Sequence, residues 1–84
     1  SAIMALAMVG VDVKMGQGVI INAHSTVDHD AVLGDFVHLG VGTHLAGGVK
    51  VGDNGWLQVG SCAGYRVVLA DNHICNPGTI FSAL

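Results

Sequence analysis

The stretch STVDHDAVLGDFVHLGVGTHLAGGVKVG, residues 25–52, decides how this chain is read. It holds His29 between Asp28 and Asp30, and a second histidine, His38, nine residues on. Around them Val27, Leu33, Leu39, Leu45 and Val51 recur at every sixth position. The same step continues outward through Ile3, Val9, Met15 and Ile21 on one side and Leu57, Ala63, Leu69, Cys75 and Phe81 on the other, always apolar and without an insertion. Three residues after the apolar position stand Asp12, Gly18, Asp30, Gly42, Gly48, Asn54, Gly60, Asn72 and Gly78. These types tolerate positive φ, so the backbone is expected to turn a corner there. The next position is small or β-branched, as in Val13, Val19, Ser25, Ala31, Val37, Thr43, Val49 and Ser61. A short strand, a corner and another short strand in constant phase make the pattern of a parallel β-helix. The lack of long helical windows removes the α/β alternatives.

Composition agrees with that fold and bounds the function. Among 84 residues there are 13 glycines, one proline and 51% hydrophobic residues, a mixture that suits neither disorder nor a helical bundle. A formal charge of -3 with only three Lys/Arg argues against nucleic acid, since nothing would neutralise a row of phosphates. No apolar run reaches the roughly 18 residues of a membrane span. The apolar start SAIMALAMVG lacks the positive flank of a signal peptide. Two cysteines make no disulfide framework, so a reduced, cytoplasmic setting is expected.

The repeat resembles the hexapeptide-repeat family over essentially the whole chain, read as one domain, residues 1–84. The resemblance implies an all-β, left-handed parallel β-helix of triangular section, with eighteen residues per coil and about four to five coils. Residues eighteen apart then stack in columns. One corner reads Gln17, Asp35, Asp53, Asp71 and is expected to be solvated; a second reads Ala5, Ala23, Val41, Val59, Pro77 and is apolar; the third reads Val11, His29, Gly47, Tyr65. The face between the polar and apolar corners carries Ile20, His38, Trp56 and Ile74. On this map His29 and His38 point away from each other and can meet only across a subunit interface, for which a three-fold ring suits a triangular prism. A homotrimer is therefore expected, and its open coil ends need a cover, because no helix or proline cluster caps them.

His29 beside Asp30 has two readings from the residues themselves. The carboxylate can fix the imidazole tautomer and raise its basicity, as a general base requires, with Gly47 in the same column offering a backbone N–H to an oxyanion. Alternatively, His29 is an exposed corner residue and Asp30 a turn former. The sequence INAHSTVDHDAVLGDFVHLGVGTHLAGGVKVG further resembles the sugar acetyltransferase branch of the family, which includes NeuD-like sialic acid O-acetyltransferases and enzymes that N-acetylate UDP-4-amino-sugars. That resemblance implies His29 as base, Asp30 as its orienting acid, Gly47 as the amide near the thioester carbonyl, and Asn22 and His38 as binding residues, with His38 from an adjoining subunit. It implies acetyl-CoA as donor, a sugar or nucleotide-sugar amine or hydroxyl as acceptor, and no metal.

The branch's N-terminal nucleotide-sugar domain is not expected in this chain, and the last coils depart from pattern, with Arg66 at a turn position and His73 at a small-residue position. An inactive scaffold or a fragment of such an enzyme is the alternative. A zinc-dependent, γ-carbonic-anhydrase-like protein is a further one, disfavoured because His24 and His29 fall on different corners. Of the other residues, His24 reads as a turn former, His44 as a solvated surface residue and His73 as a core histidine. Trp56, in column with His38, reads as an interface anchor, with contact to the coenzyme's adenine or pantetheine as the alternative role.

Overall fold

A computed structural model describes residues 1–83 and resolves the six-residue step into fourteen two-residue strands. They stack as three parallel sheets. The first holds β1 (Ala2–Ile3), β4 (Ile20–Ile21), β7 (His38–Leu39), β10 (Trp56–Leu57) and β13 (Ile74–Cys75) in that order. The second holds β2 (Met8–Val9), β5 (Thr26–Val27), β8 (His44–Leu45), β11 (Cys62–Ala63) and β14 (Ile80–Phe81). The third holds β3 (Lys14–Met15), β6 (Val32–Leu33), β9 (Lys50–Val51) and β12 (Val68–Leu69). Register advances by eighteen residues per rung: Ile20 pairs with His38 and His38 with Trp56. This is the left-handed parallel β-helix expected from the repeat.

The second residue of each strand points inward. Ile21, Leu39, Val27, Leu45, Leu33 and Leu57 are sealed from solvent, joined by Val19, Val37 and Val49 from the corners. Burying such side chains is worth about 1.5–3 kcal/mol each. Inside the apolar corner, Ser25, Thr43 and Ser61 are buried but satisfied: the Ser25 hydroxyl donates to the Gly40 carbonyl at 2.8 Å and accepts from the Thr43 N–H at 3.2 Å. A small β-branched or hydroxyl residue fits there because it fills the wedge and returns its polar atom to the neighbouring coil.

The corners explain the glycine-like position. Its N–H donates to the carbonyl of the residue nineteen positions earlier, as from Asp30 to Val11 at 3.0 Å and from Gly48 to His29 at 2.9 Å. Only a left-handed backbone aims the N–H down the stack, so side chains comply whatever they are. Leu6, His24, Phe36 and Arg66 take φ between 58° and 62° there, as Asp12, Asp30, Asn54 and Asn72 do. A non-glycine residue in that region costs about 1–2 kcal/mol, which the ladder offsets.

The two ends differ. At the first coil Ile3, on the inward register, is 50% exposed where Ile21 one rung on is fully buried. At the last coil the ring of Phe81 meets His73 edge-on at 5.4 Å between centroids. His73 is thus half-buried at the rim rather than a histidine of the sealed core, because no further coil follows over it among the described residues.

Candidate functional site

His29 stands at the corner between the second and third sheets, in the turn between β5 and β6. Two carboxylates hold it. Its backbone N–H donates to Asp28 Oδ1 at 2.8 Å, and its ring Nδ1–H donates to Asp30 Oδ2 at 2.9 Å. Asp30 reaches the ring because φ of 59° turns its side chain back along the corner. The Asp30 hydrogen bond first, and the Asp28 charge second, raise the His29 pKa above its ordinary 6.5, against a small opposing effect of desolvation. With Nδ1 committed to Asp30, Nε2 is the nitrogen left to take a proton.

The imidazole packs against the next coil at Gly47. A Cβ placed on Gly47 would come 2.6 Å from His29 Cε1 and Nε2, so glycine is what lets the ring rest there. The Gly47 N–H enters no hydrogen bond among the described residues, while its carbonyl accepts from the Arg66 N–H at 3.0 Å. His29, Asp30 and Gly47 thus form one cluster. Beside it, on the second sheet, runs a groove of about 550 Å³ walled by Asp28, His44, Ala46, Cys62 and Gly64. His44 is exposed, as expected, and also lines this groove, with its Nδ1 2.8 Å from the Thr26 hydroxyl.

Asn22, His38 and Trp56 form a second cluster on the first sheet and the adjoining corner. The Asn22 amide nitrogen donates to His38 Nε2 at 3.2 Å, and the His38 ring stacks on Trp56 at 5.5 Å and 8°. Asn22 therefore partners His38, not His29. A single chain does not bring the clusters together, since one lies on a face and the other at the opposite corner. No group of three or more His, Cys, Asp or Glu side chains is placed to hold a metal ion among the described residues. Two residues near His29 were not singled out from sequence as site residues. Asp28 was signalled by the acid–histidine–acid triplet, and Arg66 by its place at a glycine-type corner.

Fold and site together define a hexapeptide-repeat β-helix carrying a carboxylate-held histidine at one corner. No family model matches the chain. Among solved structures it is similar to the acetyltransferase domain of PglB from Neisseria gonorrhoeae FA1090 in complex with acetyl coenzyme A, with a TM-score of 0.66 and 21% identity. The likeness covers 98% of this chain and 48% of that one, so the chain spans about half the length of its structural neighbour. At that identity it establishes the shared fold. No helix among the described residues is long and apolar enough to cross a membrane.

Proposed function

We propose that the chain is an acetyl-CoA-dependent acetyltransferase of the hexapeptide-repeat type, near the NeuD-like and amino-sugar N-acetyltransferase branch. It acts in the cytoplasm on a sugar or nucleotide-sugar amine or hydroxyl. The observation that carries this reading is His29, held by Asp30 with Nε2 free and its ring packed where a Cβ of Gly47 would stand, beside a residue whose N–H is unpaired among the described residues. The neighbour's acetyl coenzyme A complex supports the choice of donor. The groove beside Asp28, whose lining includes Leu45, Ala46, Ala63 and Gly64, is mostly apolar and offers room for the thioester arm.

When bound, acetyl-CoA supplies the acetyl group as an activated thioester. His29 Nε2 takes the proton from the acceptor N–H or O–H as that atom bonds to the acetyl carbon. The Gly47 N–H meets the negative charge developing on the carbonyl oxygen. As the carbon–sulfur bond breaks, the imidazolium returns its proton to the sulfur, leaving acetylated acceptor and free thiol. Asp30 holds the tautomer throughout.

His38, Asn22 and Trp56 enter this site from an adjoining subunit of a homotrimer. The half-exposed Val41, Val59, Trp56 and Ile74 supply the contact surface. The separation of the two histidine clusters favours a second reading, a scaffold inactive as a single chain. Light scattering with and without acetyl-CoA, followed by thiol release with a panel of amino-sugars, separates them. A trimer that releases thiol only with an acceptor and only with His29 intact supports the enzyme. A monomer indifferent to acetyl-CoA overturns it.

A further inference from the structure

The second sheet carries a row of side chains that the chemistry at His29 leaves unused. Thr26, His44 and Cys62 are register partners on the successive strands β5, β8 and β11, Thr26 paired with His44 and His44 with Cys62. Each is the outward residue of its strand, followed by the buried Val27, Leu45 and Ala63. Strands about 4.8 Å apart set the three side chains next to one another along the column. All three line the groove of about 550 Å³ that Asp28 also lines.

The row has an order. The Thr26 hydroxyl lies 2.8 Å from His44 Nδ1 and ties the ring to the coil before. In the tautomer whose Nδ1–H donates to that hydroxyl, Nε2 carries no proton and is the nitrogen left for the coil after, where Cys62 stands. A nucleophile, a base beside it and a third group that orients the base make up the arrangement of covalent acyl-transfer sites. The other cysteine lacks all of this. Cys75 is buried, its Sγ sits 3.4 Å from the Ser61 hydroxyl, and its register partner is Leu57. Cys62 is partly exposed and opens on the groove, with Ile80 as its partner in the next coil. That groove is mostly apolar, which suits the body of a thioester and keeps water from the sulfur.

We propose that Cys62 is a second acyl-accepting centre, which takes the acyl group of a thioester entering this groove with His44 as its base. The choice of acetyl-CoA as donor rests on the acetyltransferase reading, while the chemistry asks only for an acyl thioester. His44 Nε2 takes the thiol proton as Cys62 Sγ bonds to the carbonyl carbon. The carbon–sulfur bond of the donor then breaks, and the imidazolium gives its proton to the departing thiolate. One thioester is exchanged for another, so no oxidant or reductant enters, and a free thiol reverses the step.

The test mixes the full chain with acetyl-CoA and no acceptor, and follows it by intact mass and peptide mapping over time. The expected result is a gain of one acetyl group at Cys62, removable by neutral hydroxylamine as a thioester is, with Cys75 unmodified. Its rate saturates with acetyl-CoA. The thiol set free is a burst of no more than one per chain, separate from the continuing release that an acceptor draws. Cys62→Ser abolishes the hydroxylamine-labile group, and His44→Asn slows its formation about 10²-fold, as loss of a general base does. Both variants change outward side chains, and matching thermal melts verify their fold. The proposal is overturned if Cys62 stays free, if Cys75 is acetylated as fast, or if labelling grows in proportion to acetyl-CoA and equally in His44→Asn. A chain acetylated at Cys62 that transfers nothing to amino-sugars keeps this inference and sinks the acetyltransferase reading. A chain that acetylates sugars while Cys62 stays free does the reverse.

Discussion

Two corners of one prism use aspartate for opposite ends. At the corner between the third and first sheets, the Asp35 carboxylate accepts the N–H of Gln17 at 3.0 Å, Asp53 that of Asp35 at 2.8 Å, and Asp71 that of Asp53 at 2.8 Å. Each acid closes the coil before it. At the His29 corner the acids turn to the histidine instead, and the Gly47 N–H in the equivalent place stays open. The backbone is the same at both, with positive φ at the same step. The difference teaches that the fold supplies an open amide at its corners and that the side chain in the next coil decides whether it is spent on stability or left for chemistry.

That comparison breaks most sharply with His29→Ala, which on the proposed mechanism should lower acetyl transfer by about 10²–10⁴-fold with the melting temperature nearly unchanged, because the ring is half-exposed. Purified-enzyme kinetics alongside a thermal melt check both halves. Next comes one substitution made at both corners. Gly47→Ala displaces only the His29 ring, so about 10²-fold of activity is expected to go with little loss of stability. Gly34→Ala sets a methyl 2.8 Å from the Asp53 backbone nitrogen and against its carboxylate, where backbone must give way. That should cost about 1–3 kcal/mol in a denaturant titration while kcat is kept. Equal losses of activity in the two variants would refute the contrast.

Asp53→Ala removes one rung of the ladder, worth about 0.5–1.5 kcal/mol, since the freed Asp35 N–H still reaches water. A melt lower by about 4–8 °C per kcal/mol is the expected reading. The smallest effect is on pH dependence. Because the folded His29 pKa is raised above 6.5, its contribution to stability is fully present below about pH 6.5 and is lost as pH rises through the folded value. On the proposed mechanism, activity moves the other way and grows over that same rise, as His29 loses its proton. Asp30→Asn removes the largest cause of the shift, so the NMR titration of His29 and the activity profile should both slide toward lower pH. Profiles that stay in place would separate Asp30 from the histidine it touches.

Much of this was legible in the chain because a β-helix contacts itself at a fixed interval. With six as the period, and eighteen residues per coil as the resemblance to the hexapeptide-repeat family implies, Ile21, Leu39 and Leu57 fall in one interior column, and the acidic, apolar and histidine corners sort themselves. His24 at a left-handed turn, His29 with Asp30, and Gly47 in the next coil were all readable that way. What was not readable depended on side-chain direction. Asn22 and His38 were named as binding residues from the resemblance, but that the Asn22 amide turns along the first sheet to His38 was not legible. His73 fell on an inward register, yet among the described residues no coil covers it and it lies edge-on against Phe81. Periodicity assigns a residue to a column, not to the rotamer it takes there.

The sequence by itself determined the six-residue step and the place of His29 between two acids, because a strict hexad keeps apolar residues inward and turn residues at the bends, while the three corners per coil were what the family resemblance implied. Only the tertiary structure decided which carboxylate meets which donor, that the His29 ring lies on Gly47, and that Arg66 leans onto Gly48 from the other side. Those outcomes depend on contacts one coil away, where angstroms of side-chain reach, rather than residue order, choose the partner.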